Sequence, residues 1–232
     1  MIRTLAVFAL ALMGAFTSAI AVAQSTGPAA PIVAAPANFG EALRWDRKAA
    51  EAGSPTAQYL LGHRLEVGRG QPRDLRTSTR WYRRAAAQGH VLSQFRLGWM
   101  HQNGLGMKRA PAGAISWYVS AAAQGLPEAA LNLGYLFERG VGGTSDIIRA
   151  QQYYLQAAEK GLGAAQFNLG LLLNAKTDDP VAQSESLYWL SLAADQGIAD
   201  AAAARDMAKS TLSDDVIANV ERRLSRQAAS KK

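Results

Sequence analysis

The 232-residue chain contains no cysteine. This absence excludes disulfide scaffolds, thiol nucleophiles and cysteine-based zinc sites. Charged residues make up only 19% of the chain and aromatic residues 8%, whereas the apolar fraction of 49% is too high for a chain disordered throughout. A chain of this length can bury a core without disulfides or metals. Because much of the apolar fraction is alanine, accompanied by 21 glycines, the composition favours closely packed helices.

The N-terminal segment has the pattern of an export signal. After Arg3, an uncharged stretch rich in Ala, Leu, Val and Phe runs to Ala23. Small residues at positions 21 and 23 fit a signal-peptidase site, so residues 1–23 are predicted to be a signal peptide cleaved after Ala23. A retained membrane anchor is the alternative. The expected mature protein is periplasmic or secreted, has no stable membrane span, and begins with a Pro/Ala-rich linker at residues 24–37.

Several columns of residues recur every 36 positions, which indicates internal repeats. They comprise a glycine column, a Leu-Gly column, an aromatic column and an Ala-Ala column. The members are Gly53, Gly89, Gly125, Gly161 and Gly197; Gly62, Gly98, Gly134 and Gly170, each after Leu; Trp45, Trp81, Trp117, Tyr153 and Trp189; and the alanine pairs at 49–50, 85–86, 121–122, 157–158 and 193–194.

Each period predicts two amphipathic helices, the first through the Leu-Gly motif and the second through the aromatic and Ala-Ala positions. Second helices are expected to begin near Asp74, Pro111, Asp146 and Pro180, where Asp and Pro suit a first turn. Trp81 is expected to be the large packing residue of its helix. The sequence thus predicts about eleven helices, with a solenoid over residues 38–209 and a C-terminal capping helix and tail over residues 210–232.

The repeated motifs resemble those of the Sel-one-like repeat (SLR) family, a branch of the tetratricopeptide superfamily. One unit reads Ala129…Leu133-Gly134…Phe137…Gly140-Val141-Gly142, then Asp146…Arg149-Ala150…Tyr153-Tyr154…Ala157-Ala158…Gly161. The resemblance implies an all-α fold, a right-handed α/α superhelical solenoid whose first helices line one concave groove. It also implies a role in binding other proteins.

No residue pattern in the chain predicts catalysis. The three histidines, His63, His90 and His101, form no Ser-His-Asp or His-Glu-x-x-His arrangement, and the Gly104-x-Gly106 run fits a helix end better than a phosphate loop. His101 occupies a packing column. No catalytic residue, metal site or cofactor is therefore predicted. Some SLR relatives are linked to β-lactam binding or hydrolysis, but they are cysteine-rich, so a β-lactamase-like enzyme is the weakest alternative.

A position one residue after the Leu-Gly glycine varies while the scaffold columns do not. It holds His63, Trp99 and Tyr135. We expect these three side chains, with Gln102, Glu138 and Arg139, to form a partner-binding groove. The alternative interpretation is that they only pack behind the surface.

Net positive charge is concentrated in the first half of the chain: residues 24–125 hold 13 Lys/Arg against 5 Asp/Glu, whereas residues 126–232 hold 11 against 13. A predicted basic patch comprises Arg64, Arg69, Arg73, Arg76, Arg80, Arg83 and Arg84. It is either a solvated outer face or a site for an acidic protein or an anionic envelope polymer. Nucleic acid is not an expected partner of an exported protein.

The resemblance to exported SLR proteins implies the leading functional hypothesis, a non-enzymatic exported scaffold that acts as an adaptor or regulator in cell-envelope signalling or assembly. It would bind an envelope protein in the groove. A binder of anionic envelope glycan or peptidoglycan that uses the basic patch is the alternative.

Overall fold

The computed structural model describes residues 39–175 and 178–230, and these residues form eleven α-helices. The helices are α1 (Phe39–Glu51), α2 (Pro55–Val67), α3 (Leu75–Ala87), α4 (Val91–Asn103), α5 (Pro111–Ala123), α6 (Pro127–Glu138), α7 (Ile147–Glu159), α8 (Gly163–Asn174), α9 (Pro180–Asp195), α10 (Ala201–Lys209) and α11 (Asp214–Ser230). The predicted all-α fold is confirmed. The predicted signal peptide and linker lie outside the described residues. Within the described ranges, no helix is both long and apolar enough to cross a membrane.

The helices stack in chain order. Each first helix (α2, α4, α6, α8) packs most extensively against the second helix that follows it (α3, α5, α7, α9), and each second helix then packs on the next first helix. Since every helix pair contacts mainly its neighbours in sequence, the architecture is a solenoid. Equivalent residues 36 positions apart therefore line up along the stack.

Local sequence sets where the second helices begin and the first helices end. The Asp74 and Asp146 carboxylates cap α3 and α7. Each accepts a hydrogen bond, at 2.9 Å, from the backbone N–H of the residue three positions later in the chain. Gly68 and Gly104 close α2 and α4 with φ of 75° and 73°, a left-handed conformation that glycine adopts without strain. The predicted starts of the second helices are confirmed.

In α3, α5 and α7 the large packing residue is the tyrosine one position after the predicted column, and in α9 Leu190 takes that place. Tyr82, Tyr118 and Tyr154 are fully buried, whereas Trp45 is 49% exposed. Each tyrosine ring lies over the Leu-Gly glycine of its unit, so a Cβ at Gly98 would lie 2.6 Å from Tyr118. The prediction that Trp81 is the large packing residue of its helix is therefore wrong, because Trp81 is only partly buried and packs at the edge of a core cluster. The predicted close approach at the glycine and Ala-Ala columns is present.

A glutamine ladder ties successive units together. Gln58 Nε2 donates to the carbonyl oxygen of Ala50 at 3.0 Å, and Gln88 Nε2 donates to Gln58 Oε1 at 2.9 Å. The same pair of bonds recurs 36 and 108 residues later, centred on Gln94 and Gln166. Buried carbonyl groups at the helix ends thus receive partners that the helices cannot supply.

The C-terminal helix covers the last second helix. α10 has only nine residues, and α11 packs on α9 with Val220 buried against it. The Tyr188 hydroxyl on α9 donates to Gln227 Oε1 at 3.0 Å, and the Arg223 guanidinium lies 3.6 Å from the Tyr188 ring centroid. The predicted capping helix is therefore present at the end of the stack.

Candidate functional site

The face formed by the first helices carries a row of polar side chains that hold the buried tyrosines. Three tyrosine hydroxyls each donate to a side chain 16 residues earlier. The pairs are Tyr82 with Glu66 at 2.6 Å, Tyr118 with Gln102 at 2.9 Å, and Tyr154 with Glu138 at 2.6 Å. Since a buried hydroxyl without a partner is costly, the acceptor at the C-terminal end of α2, α4 and α6 is a structural requirement.

Each tyrosine hydroxyl also interacts with the first helix of the next unit. Burial raises the pKa of all three tyrosines, and a polar side chain opposes that rise in each case, namely Arg96, Asn132 or Asn168. These three side chains are 36 residues apart. A tyrosine therefore links two consecutive first helices, and its hydroxyl lies just beneath the face that they share.

The link made by Tyr82, between α2 and α4, includes charged side chains. Glu66 is buried and lies 3.6 Å from Arg96 Nη1 and 3.9 Å from His63 Nδ1. Burial favours the neutral carboxyl, but His63, Arg96 and the Tyr82 hydroxyl together hold the pKa of Glu66 below its ordinary value. The corresponding acceptor of the next unit is the neutral Gln102, so the charged cluster is particular to α2 and α4.

The predicted groove residues all belong to this face or its edge. His63 is partly exposed and stacks on Tyr59 with ring planes 3° apart. Trp99 and Tyr135 are half-buried against the core. Because the three variable positions are 36 residues apart, their side chains form a row along the stack. Arg139 is exposed at the end of α6.

Gln102 and Glu138 accept hydrogen bonds from tyrosines, which the sequence interpretation did not foresee. It also missed Glu66 and Arg96. A 36-residue column of Tyr82, Tyr118 and Tyr154 beside the tryptophan column was the available indication, because a buried tyrosine requires a hydrogen-bond partner.

Most of the predicted basic patch is exposed. Arg76, Arg80 and Arg83 lie on the outer face of α3, whereas Arg84 lies 4.7 Å from the Trp81 ring centroid. Arg64 differs from the others, because its Nη1 lies 2.7 Å from a carboxylate oxygen of the buried Asp46. Its side chain is only 21% exposed, and it joins α1 to α2 instead of contributing to the exposed patch.

The other two histidines lie at opposite ends of α4, His90 at its N-cap and His101 in its last turn. His90 caps α4, with Nδ1 accepting the Ser93 N–H at 3.3 Å, and burial lowers the pKa of its ring. Burial, and then the nearby charge of Arg83, lower the pKa of His101. Among the described residues, no group of three or more His, Asp or Glu side chains could hold a metal ion.

Comparison with known proteins places this architecture in a family. The Sel1 repeat pattern matches residues 33–54, 55–90, 91–126, 127–162 and 163–198. The last four ranges each contain one first helix and one second helix, and the first range reaches through α1. No curated protein gives a significant match.

Two solved structures are similar over about two thirds of the chain. A protective antigen of uropathogenic Escherichia coli that displays an SLR fold is 33% identical, with a TM-score of 0.62, over 67% of this chain and 33% of its own. A Sel1 repeat protein from Oxalobacter formigenes is 34% identical, with a TM-score of 0.62, over 66% of this chain and 63% of its own. This chain thus spans a third of the first relative and less than two thirds of the second. The chain belongs to the Sel1 repeat family and is a tetratricopeptide-like α-solenoid scaffold.

Proposed function

We propose that the chain is an exported, non-catalytic scaffold that binds an extended segment of an envelope protein across the face of its first helices. The observation that carries the proposal is the row of His63, Trp99 and Tyr135. The residues behind this row repeat from unit to unit, whereas the row itself changes its chemistry. A side chain that varies at a structurally constant, partly exposed position is not dictated by packing, and this is the behaviour of a recognition position.

The chemistry of the row fits a peptide partner. Trp99 and Tyr135 supply rigid aromatic surface that loses little conformational entropy on binding, and such residues dominate the energetics of protein interfaces. Gln102 and Glu138 are already fixed by tyrosine hydroxyls, and both keep acceptor capacity because a side-chain oxygen has more than one lone pair. An extended segment that places apolar side chains over the aromatic rings could donate its backbone N–H groups to these acceptors.

Site-directed photo-crosslinking tests this proposal in cells of the source organism. A photoreactive phenylalanine analogue at position 99 or 135 is expected to attach one envelope protein, identifiable by mass spectrometry. The same analogue at position 119, where Val119 is exposed on α5, serves as the control and is expected to leave that protein unattached. Equal labelling at positions 99 and 119 would contradict the assignment of the face.

A binding measurement with the identified partner gives the magnitude. Trp99→Ala is expected to weaken binding about tenfold or more, because a central aromatic residue typically contributes over 1 kcal/mol. Trp45→Ala removes an exposed tryptophan from α1 and is expected to leave the affinity unchanged. Binding should persist in about 0.5 M salt, where exposed charge contacts are screened. Equal losses in the two variants, or release of the partner by salt alone, would overturn the proposal.

A further inference from the structure

A band of cations covers the outer face of the second helices at the N-terminal end of the solenoid. Between Val67 and His90 the sequence holds six arginines and a single carboxylate, Asp74, which caps α3. Arg76, Arg80 and Arg83 follow the i, i+4, i+7 spacing of one helix face and are exposed. The band therefore has almost no internal neutralisation along α3.

The same face of α1 is also basic. Arg44, Arg47 and Lys48 stand 36 residues before Arg80, Arg83 and Arg84, and all three are exposed. Because residues 36 positions apart line up along the stack, the cations of α1 and α3 lie side by side. The exposed band is thus two helices wide.

The connection after α4 extends the band. A Cβ at Gly106 would lie 2.2 Å from the carbonyl oxygen of Leu75 and 2.7 Å from Thr79 Oγ1, so this connection lies directly against α3. It carries Lys108 and Arg109, both exposed. Their position against the start of α3 makes the cationic surface continuous into the next unit.

Two arginines of the band are held in place by the backbone. Arg73 Nε donates to the carbonyl oxygen of Glu66 at 2.9 Å, and Arg109 Nε donates to that of Gln102 at 3.1 Å. These positions are equivalent in consecutive units. A guanidinium fixed through Nε still has both terminal amino groups for a ligand, and a preorganised fork of this kind suits carboxylate or phosphate.

The fold does not require these cations. On α5 the residues equivalent to Arg76, Arg80 and Arg83 are Ala112, Ser116 and Val119, and the helix forms in the same way. In the third unit Ser145 takes the place of Arg73 and bonds the corresponding carbonyl oxygen at 2.7 Å. The cations are therefore an addition to the scaffold, confined to one end of it.

The composition of the band indicates the kind of ligand. Large exposed apolar side chains are scarce in the band: none lies on α3 or in residues 104–110, and among the described side chains of α1 there is one, Trp45. Protein partners usually need such anchors, whereas a linear polyanion binds through charge and counterion release alone. Single-stranded nucleic acid would need a series of exposed rings for base stacking, whereas the described part of the band offers the ring of Trp45, and Trp81 is half-buried with Arg84 above it.

We propose that this band binds a linear anionic polysaccharide that carries a carboxylate on successive sugar residues. The choice of a polysaccharide rests on the export included in the proposed function, because an exported protein meets envelope and extracellular polymers. Successive arginines on α3 rise about 6 Å for every four residues, a spacing that can follow repeated charges along a chain. The first-helix face stays available for a protein partner.

The test uses the mature chain and polygalacturonate, with uncharged dextran and duplex DNA as comparisons. Wild type is expected to bind polygalacturonate, with affinity falling between about 50 and 200 mM salt, and to ignore dextran. The decisive variant combines Arg76→Ala, Arg80→Ser and Arg83→Val, which places on α3 the residues found at the equivalent positions of α5. It is expected to lose about tenfold or more in affinity and to show a shallower salt dependence, because fewer counterions are released.

A matched control separates this surface from overall charge. Lys160→Ser, Arg222→Ser and Arg226→Ser remove three exposed cations elsewhere and are expected to leave binding within about twofold, because separated charges are screened. Arg80→Gln with Arg83→Gln is a second variant that keeps side-chain length. The proposal is overturned if the α3 variants bind like wild type, if the control loses as much, or if DNA binds as tightly as polygalacturonate. Crosslinking at position 99 in the α3 variant reports separately on the protein-binding face.

Discussion

Gly134→Ala is expected to lower the free energy of unfolding by about 2 kcal/mol, because overpacking a filled core typically costs 1–3 kcal/mol or more. The new Cβ would lie 2.4 Å from Tyr154 Cδ1 and 2.5 Å from Cε1. The ring cannot move aside, since Tyr154 is fully buried and its hydroxyl is bonded to Glu138 at 2.6 Å. An overpacking cost of about 3 kcal/mol, less the roughly 1 kcal/mol by which alanine is favoured over glycine in a helix, gives this net loss of about 2 kcal/mol.

Urea denaturation followed by far-ultraviolet circular dichroism measures the effect. The same substitution at Gly62 and Gly98 provides an internal scale, because the corresponding Cβ distances are 2.9 and 2.6 Å. The cost should increase from Gly62 to Gly98 to Gly134. Gly113→Ala on α5 is the control, and there the nearest atom is His101 Nδ1 at 3.1 Å, on a side chain that can adjust. A loss at Gly134 no greater than that at Gly113 would show that the tyrosine–glycine contact is not tight.

This contact also shows what the sequence could predict of the fold. The 36-residue period determines the helix pairs, their order and the presence of a close approach at the Leu-Gly glycine. It does not determine which aromatic residue of the Trp81-Tyr82 pair points inward. Both columns keep the same period, and one residue corresponds to about 100° of rotation on a helix. Only the packing of α2 against α3 decides that Tyr82 is the buried residue.

For the candidate site, the sequence predicts a set of variable positions but not the hydrogen bonds behind them. Variation at His63, Trp99 and Tyr135 indicates a surface row, because the adjacent Leu-Gly positions repeat in every unit whereas this position does not. The bond from Tyr82 to Glu66 joins residues 16 positions apart across a helix end and a turn, so it depends on tertiary geometry. For the same reason the sequence did not reveal that Gln102 and Glu138 hold tyrosine hydroxyls.

Glu66→Ala is expected to lower the free energy of unfolding at neutral pH by about 3 kcal/mol, because removing one partner of a buried ion pair leaves the other uncompensated. Arg96 would keep a side chain only 23% exposed without its carboxylate, and the buried Tyr82 hydroxyl would lose its acceptor. Glu66→Gln is the matched variant, since Gln102 accepts the equivalent bond from Tyr118 in the next unit. It retains an acceptor and is expected to cost only about 1 kcal/mol, the typical net value of one such interaction.

The pH dependence of stability separates the charge of Glu66 from its shape. Its folded-state pKa lies below the ordinary value of 4.5, so the ionised carboxylate is favoured by folding. The resulting stabilisation is complete above the unfolded-state pKa and is lost as pH falls through the lower, folded-state pKa. The urea midpoint of wild type should therefore approach that of Glu66→Gln between about pH 5 and pH 3, whereas the two differ at neutral pH. Curves that stay parallel over this range would mean that the carboxylate acts only as a hydrogen-bond acceptor, and that its charge contributes nothing to joining α2 and α4.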